Sequence, residues 1–171
     1  MSPLEKYQKK ITDEFYIAYV MGDTNEEFNL WLDDEFDPND RDNFGETLIM
    51  NVLYSYGSNS VNVDESDFKE TVALITGHEK YNPNQINDFK ETPLFIIARN
   101  SSLNCVAKTF LNIKNAELTK INDVGLNAYE VALYNKNIEF AEMLLNTGKF
   151  DFMIKGQCEK LENTDESGHV Q

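Results

Sequence analysis

Apolar residues recur along most of this chain at steps of three and four, the spacing of one helix face. Leu4, Tyr7, Ile11, Phe15 and Ala18 mark a first face. Ser2-Pro3-x-Glu5 opens it, with Ser2 as N-cap, Pro3 as first helical residue and Glu5 reaching back. This helix is expected to end near Met21-Gly22-Asp23. Phe28, Trp31 and Leu32 place a second helix over about 25–34, and Asp37-Pro38-Asn39 is a turn that stops the helical run. A third helix is expected from Thr47 to about Tyr56, opened by the Thr47 hydroxyl bonding a free N–H of the first turn. The run 57–66 is polar and turn-rich. Phe68, Val72 and Ile75 then mark a helix over about 66–76, and Gly77 stops it. Further helices are expected over about 92–100, 102–112, 128–135 and 138–146, with Phe95-Ile96-Ile97-Ala98 almost wholly apolar, as a helix covered on both sides requires. The pattern is all-α, with the helices in pairs.

The pairs are joined by a recurring short motif. Asp37-Pro38-Asn39 is followed by Asp42, Gly45 and Thr47; Asn82-Pro83-Asn84 is followed by Thr92-Pro93-Leu94; and Asn122 is followed by Gly125, with Asn127-Ala128 in place of Thr-Pro. In this register the chain resembles the ankyrin repeats. Positions 47, 92 and 127 are 45 and 35 apart by subtraction, against a family period of about 33, so the first gap holds an insertion of about ten residues, most of it in 57–66. The resemblance covers about residues 13–152 and implies a solenoid of stacked helix pairs with short hairpin loops on one side. It divides the chain into an N-terminal capping unit (1–41), a repeat with an insertion (42–86), a repeat (87–121) and a C-terminal capping repeat (122–152), with Phe150 and Phe152 packing on the last helices. Residues 153–171 are expected to be a disordered acidic tail. Glu35 and Lys90 stand where the family has glycine; a side chain there costs about 1 kcal/mol in a positive-φ position, so distortion of those loops is expected.

Composition narrows the function. Of 171 residues, 30 are acidic and 15 basic, giving a net charge of −15. That sign disfavours nucleic acid and anionic membrane surfaces and would steer in a basic protein, although many acidic proteins carry such charge for solubility alone. No apolar run approaches a membrane span. Cys105 and Cys158 are far apart and are expected to be reduced thiols, Cys105 as a small core residue. With no apolar signal segment at Met1-Ser2-Pro3-Leu4, a cytoplasmic location is expected.

No catalytic or metal motif survives inspection. His78-Glu79 lacks a second histidine four residues on. The acidic run from Asp33 has Pro38 where a calcium loop needs glycine and Phe44 where it needs glutamate. No glycine-rich phosphate loop or serine elbow occurs. A non-enzymatic chain without cofactor or metal is expected, and a monomer is favoured.

What the resemblance implies instead is a contact face, formed by the hairpin tips and the exposed side of the first helices. Carried over by position, it comprises Asn43, Phe44, Glu46, Tyr54 and Ser55; then Asp88, Phe89, Glu91, Arg99 and Asn100; then Asp123, Val124, Leu126, Tyr134 and Asn135. Phe44 and Phe89 occupy equivalent tips and either anchor a partner or fold back on a neighbouring loop. Tyr54 and Tyr134 are likewise equivalent. The resemblance implies a protein-binding module. The sharper expectation is an inhibitor or immunity protein for a basic enzyme or toxin; the alternative is an adaptor or secreted effector that recruits a host protein.

Overall fold

The computed structural model describes residues 13–22, 24–31 and 33–150. The expected Ser2–Glu5 capping box, the Phe152 contact and the 153–171 tail lie outside them. Residues 13–21 are helical (α1). They are followed by α2 (Thr24–Trp31), α3 (Leu48–Gly57), α4 (Glu65–Gly77), α5 (Pro93–Arg99), α6 (Asn104–Leu111), α7 (Ala128–Tyr134) and α8 (Ile138–Leu145), with a 3-10 turn at Ser101–Leu103 leading into α6. No strand occurs among the described residues; isolated bridges pair Arg41 with Thr47 and Ile121 with Asn127 at the bases of two hairpins.

The helices stand in two rows. α3 packs on α5 and α5 on α7; α2 packs on α4, α4 on α6 and α6 on α8. α1 joins the first row through the Tyr16 hydroxyl, hydrogen-bonded to the Ser55 hydroxyl, and through Tyr19, whose hydroxyl donates to the Val52 carbonyl at 3.5 Å. One apolar core runs the length of the stack, from Phe15, Tyr19 and Phe36 through Leu53, Phe68, Ile97 and Phe140 to Phe150, all fully buried. Each such side chain contributes about 1.5–3 kcal/mol. α5 is buried at every residue from Pro93 to Ala98, as its apolar run predicts. The insertion becomes the loop between α3 and α4 together with a 13-residue α4, which is capped by the Asp64 carboxylate accepting from the Asp67 N–H at 2.9 Å.

Two expectations about single residues are corrected. The Thr47 hydroxyl does not cap α3: Thr47 is the N-cap residue, but its Oγ1 is buried without a hydrogen-bond partner, as is that of Thr92 before α5. The residue that would return a bond from the third helical position is apolar in both, Met50 and Phe95. In the last unit, where Asn127 and Glu130 replace that combination, a full capping box forms. The loop at Lys90 is not distorted either. Asn87 N–H donates to Glu91 O at 3.0 Å and Lys90 N–H to Asn87 O at 3.0 Å, matching the pairs around Gly45 and Gly125. Lys90 takes φ 60°, next to 75° and 83° at the two glycines, so the strain sits in one residue. Glu35 is not among the residues with positive φ; its N–H is held by the Asp33 carboxylate at 2.8 Å.

Asparagine side chains cross the boundaries between units at three heights. At the hairpin bases, Asn87 Nδ2 donates to Glu46 Oε1 at 3.0 Å and Asn122 Nδ2 to Glu91 Oε1 at 2.9 Å. At the start of the second helices, Asn100 Nδ2 reaches the Gly57 carbonyl at 2.6 Å and Asn137 Nδ2 the Ile97 carbonyl at 3.0 Å. In the outgoing loops, Asn39 donates to Lys80 O and accepts from Asn82 N–H, at 2.7 and 2.8 Å. Asn84 does the same with Asn115 O and Glu117 N–H, both at 2.8 Å.

Asn137→Ala removes the buried bond to the Ile97 carbonyl, the paired bonds with the Asn104 amide and the α8 cap, while Ile97 O keeps the Asn100 N–H and Asn104 keeps Glu139. A loss of about 2–4 kcal/mol is expected in urea unfolding. Lys90→Gly relieves the left-handed strain and is expected to raise stability by up to about 1 kcal/mol in the same assay, part of the gain being offset by the entropy of the unfolded glycine.

Candidate partner-binding face

Each hairpin is organised by its first residue. Asp42 Oδ1 accepts the N–H groups of Phe44 and Glu46 at 2.8 and 3.0 Å. Asn87 Oδ1 accepts those of Phe89 and Glu91, both at 3.0 Å. Asn122 Oδ1 accepts those of Val124 and Leu126 at 3.2 and 3.0 Å. The side chain two residues on is therefore turned out at the tip, and these are Phe44, Phe89 and Val124, exposed by 75%, 59% and 71%. Neighbouring hairpins are tied together: Asp123 N–H donates to Phe89 O at 3.0 Å, and Arg41 pairs with Asp88 at 3.1 Å while its Nε holds Gly45 O at 2.8 Å. Neither phenylalanine is packed away on a neighbouring loop.

A second row lies on the first helices, seven residues after each helix-opening residue. It consists of Tyr54, Arg99 and Tyr134, all exposed, Tyr134 by 84%. Between α3 and α5 a groove of about 220 Å³ is lined by Leu53, Tyr54, Ile96, Arg99 and Leu103. Asn43, Asp88, Asp123 and Asn135 are exposed on the same hairpins and helix ends, and Leu126 is 36% exposed. Three expected face residues are instead buried in the scaffold. Ser55 bonds Asn51 O at 2.8 Å as well as Tyr16. Glu46 and Glu91 accept the crossing asparagines. Asn100 is half-buried and occupied with Gly57 and Ser102.

The two buried acids differ in one respect. Glu91 is gripped by both terminal nitrogens of Arg99, one of them at 2.6 Å, and this pairing holds Arg99 above its ordinary basicity. In the preceding unit the position of Arg99 is taken by Tyr54, and Glu46 keeps one oxygen, Oε2, buried and unpaired. Burial raises the Glu46 carboxyl above its ordinary value, Asp42, Glu91 and Asp88 add to the rise, and the Asn87 hydrogen bond opposes it. Burial likewise pushes Tyr54 up to about 12, with the Glu46 charge adding.

Sequence reasoning found both phenylalanine tips. It also placed Val124 at the equivalent position of the fourth unit, but did not see that Arg99 belongs partly to the scaffold. Among the described residues no group of histidine, cysteine or acidic side chains has the geometry to hold a metal, and no helix is long and apolar enough to cross a membrane. Cys105 is half-buried, its thiol pushed up by burial.

A family model described as ankyrin repeats, in three copies, matches residues 60–155, more than half of the chain. A search of curated proteins finds no match.

The raised Glu46 value sets a pH dependence. The folded state holds this proton more tightly than the unfolded state, so the associated stability is complete below the unfolded carboxyl value and is lost as pH rises through the folded one. Glu46→Gln lacks that loss. It is expected to be more stable than the parent at pH 7 and to lose the advantage near pH 4, an ordinary carboxyl value, as read by urea unfolding at both pH values.

Proposed function

Because the chain belongs to the ankyrin-repeat family, we propose that it works by binding another protein, without chemistry of its own, through the face that carries the hairpin tips and the exposed side of α3, α5 and α7. The observation that carries this reading is the row of Phe44, Phe89 and Val124, three apolar side chains held out to water by hairpins whose backbones are bonded to their own opening residues. Rigid aromatic tips lose little entropy on contact and act as anchors. Asp88 and Asp123 flank the second and third tips, and the chain as a whole carries −15. A partner with a basic surface fits that charge, and long-range attraction speeds capture and sharpens choice of partner.

The specific role we propose is inhibition: the chain acts as an immunity-type protein that occupies a basic enzyme or toxin encoded beside it. Isothermal titration against the basic product of the adjacent gene tests this. Submicromolar binding that weakens as salt rises is expected, together with loss of that product's activity in the complex. Phe44→Ala with Phe89→Ala is expected to weaken binding by about 2–4 kcal/mol, roughly 30- to 1000-fold, with the unfolding midpoint unchanged. Unchanged affinity would place the contact elsewhere on the molecule, and binding without loss of activity would sink the inhibitory role.

A further inference from the structure

Two carboxylates stand at equivalent places in the second and third units, each just before the helix-opening threonine. They are Glu46 and Glu91, 8% and 3% exposed. Each gives Oε1 to the asparagine that opens the next hairpin, Asn87 and Asn122. The second oxygen differs. Glu91 Oε2 accepts from Arg99 Nη1 at 2.6 Å, and the other terminal nitrogen of that guanidinium holds Oε1. Glu46 Oε2 is buried with no hydrogen-bond partner, and the residue in the place of Arg99 is Tyr54. In the fourth unit Tyr134 holds that place, but there the acid is replaced by Leu126. Of these three units, the second alone combines the acid with a tyrosine.

A buried carboxylate oxygen without a partner is costly. The two arginines of these units are already committed, Arg41 to Asp88 and Arg99 to Glu91. Asp42, Asp88 and Glu91 add negative charge around Glu46. The neighbouring pair shows that an acid this deep can be held from the open face: the Glu91 side chain is 4% exposed, while that of Arg99 is 40% exposed. Tyr54 is similarly open, at 39%. Glu46 also borders a cavity of about 60 Å³, shared with Asp42 and Asn51, so the space beside it is not filled by protein.

We propose that the missing guanidinium comes from outside: an arginine side chain of the protein partner lies against Tyr54 and pairs with Glu46 Oε2, as Arg99 pairs with Glu91. This inference rests on the reading of the hairpin face as a binding surface and names the chemistry recognised at one point of it. A guanidinium stacks on an aromatic ring while its fork of N–H groups meets a carboxylate; a lysine ammonium has neither the plane nor the fork. Glu46 then serves the scaffold through one oxygen and the partner through the other.

Nuclear magnetic resonance on the full chain, titrated with N-acetyl-arginine amide, tests it. The control probe is N-acetyl-citrulline amide, in which a neutral urea replaces the guanidinium. Saturable shifts of the Glu46 carboxyl carbon and the Tyr54 ring are expected with the arginine probe alone, with a dissociation constant of roughly 1–50 mM. Glu46→Gln and Tyr54→Arg, each checked as folded by urea unfolding, are expected to abolish the response, the second by filling the place from within. No saturable response in the parent below about 100 mM, an equal response to the citrulline probe, or a response that survives in either variant overturns the proposal. Because the probe is not the partner, the result stands whether or not the adjacent gene's product binds. Where that product does bind, Glu46→Gln is expected to weaken it by at least about 30-fold, and equal affinity of parent and variant overturns the proposal while leaving the tips as the contact.

Discussion

Hydrogen bonds that cross from one helix pair to the next turn this chain into a stack rather than a string of separate hairpins. A helical solenoid has no sheet to absorb the polar groups of its loops, and buried backbone groups without partners are costly. Asparagine meets the need because one short side chain both donates and accepts. Asn39 and Asn84 each grip an N–H and a carbonyl of the following loop, while Asn100 and Asn137 each cap a helix and reach back a unit in the same gesture. An uncharged amide suits these sites, since a charge buried there would need a partner of its own. Glu91 shows what that entails, since Arg99, still partly exposed on its helix, is committed to holding it.

The same bonds that fix the scaffold shape its outer surface. Asp42, Asn87 and Asn122 clamp the backbone on either side of each tip, so Phe44, Phe89 and Val124 are held in place before any partner arrives. Such preorganisation leaves little ordering cost for the moment of contact. The side chains between tip and helix, Glu46 and Glu91, serve the scaffold, and those at the tip are turned out to water. Adjacent residues in one short loop thus have opposite roles.

Much of this was legible in the sequence because it follows from period. The helix pairs, their order and the hairpins between them came from apolar spacing and the recurring turn residues, and α5 was recognisable as an inner helix from its unbroken apolar run. What sequence could not reveal depends on neighbours that lie one unit away. Glu46, Ser55 and Glu91 occupy positions that the family pattern places on the face, and only the crossing bonds from Asn87, Tyr16 and Asn122 show them to be interior. Thr47 has the right residue type for a cap and the wrong helical partner, Met50. Lys90 looked like a distortion because composition registers its side chain but not that a single residue can absorb the strain while the loop keeps its bonds.

The first boundary is built differently from the others. Its outer row is tied by Trp31, whose Nε1–H donates to the Leu74 carbonyl at 2.9 Å and whose ring meets the edge of His78. That indole is the chain's one tryptophan. Its emission therefore reports a single joint, and detachment of the leading pair would register as a red shift while circular dichroism still counted the remaining helices as formed. The molecule carries its own optical gauge for distinguishing peeling from one end from all-at-once melting.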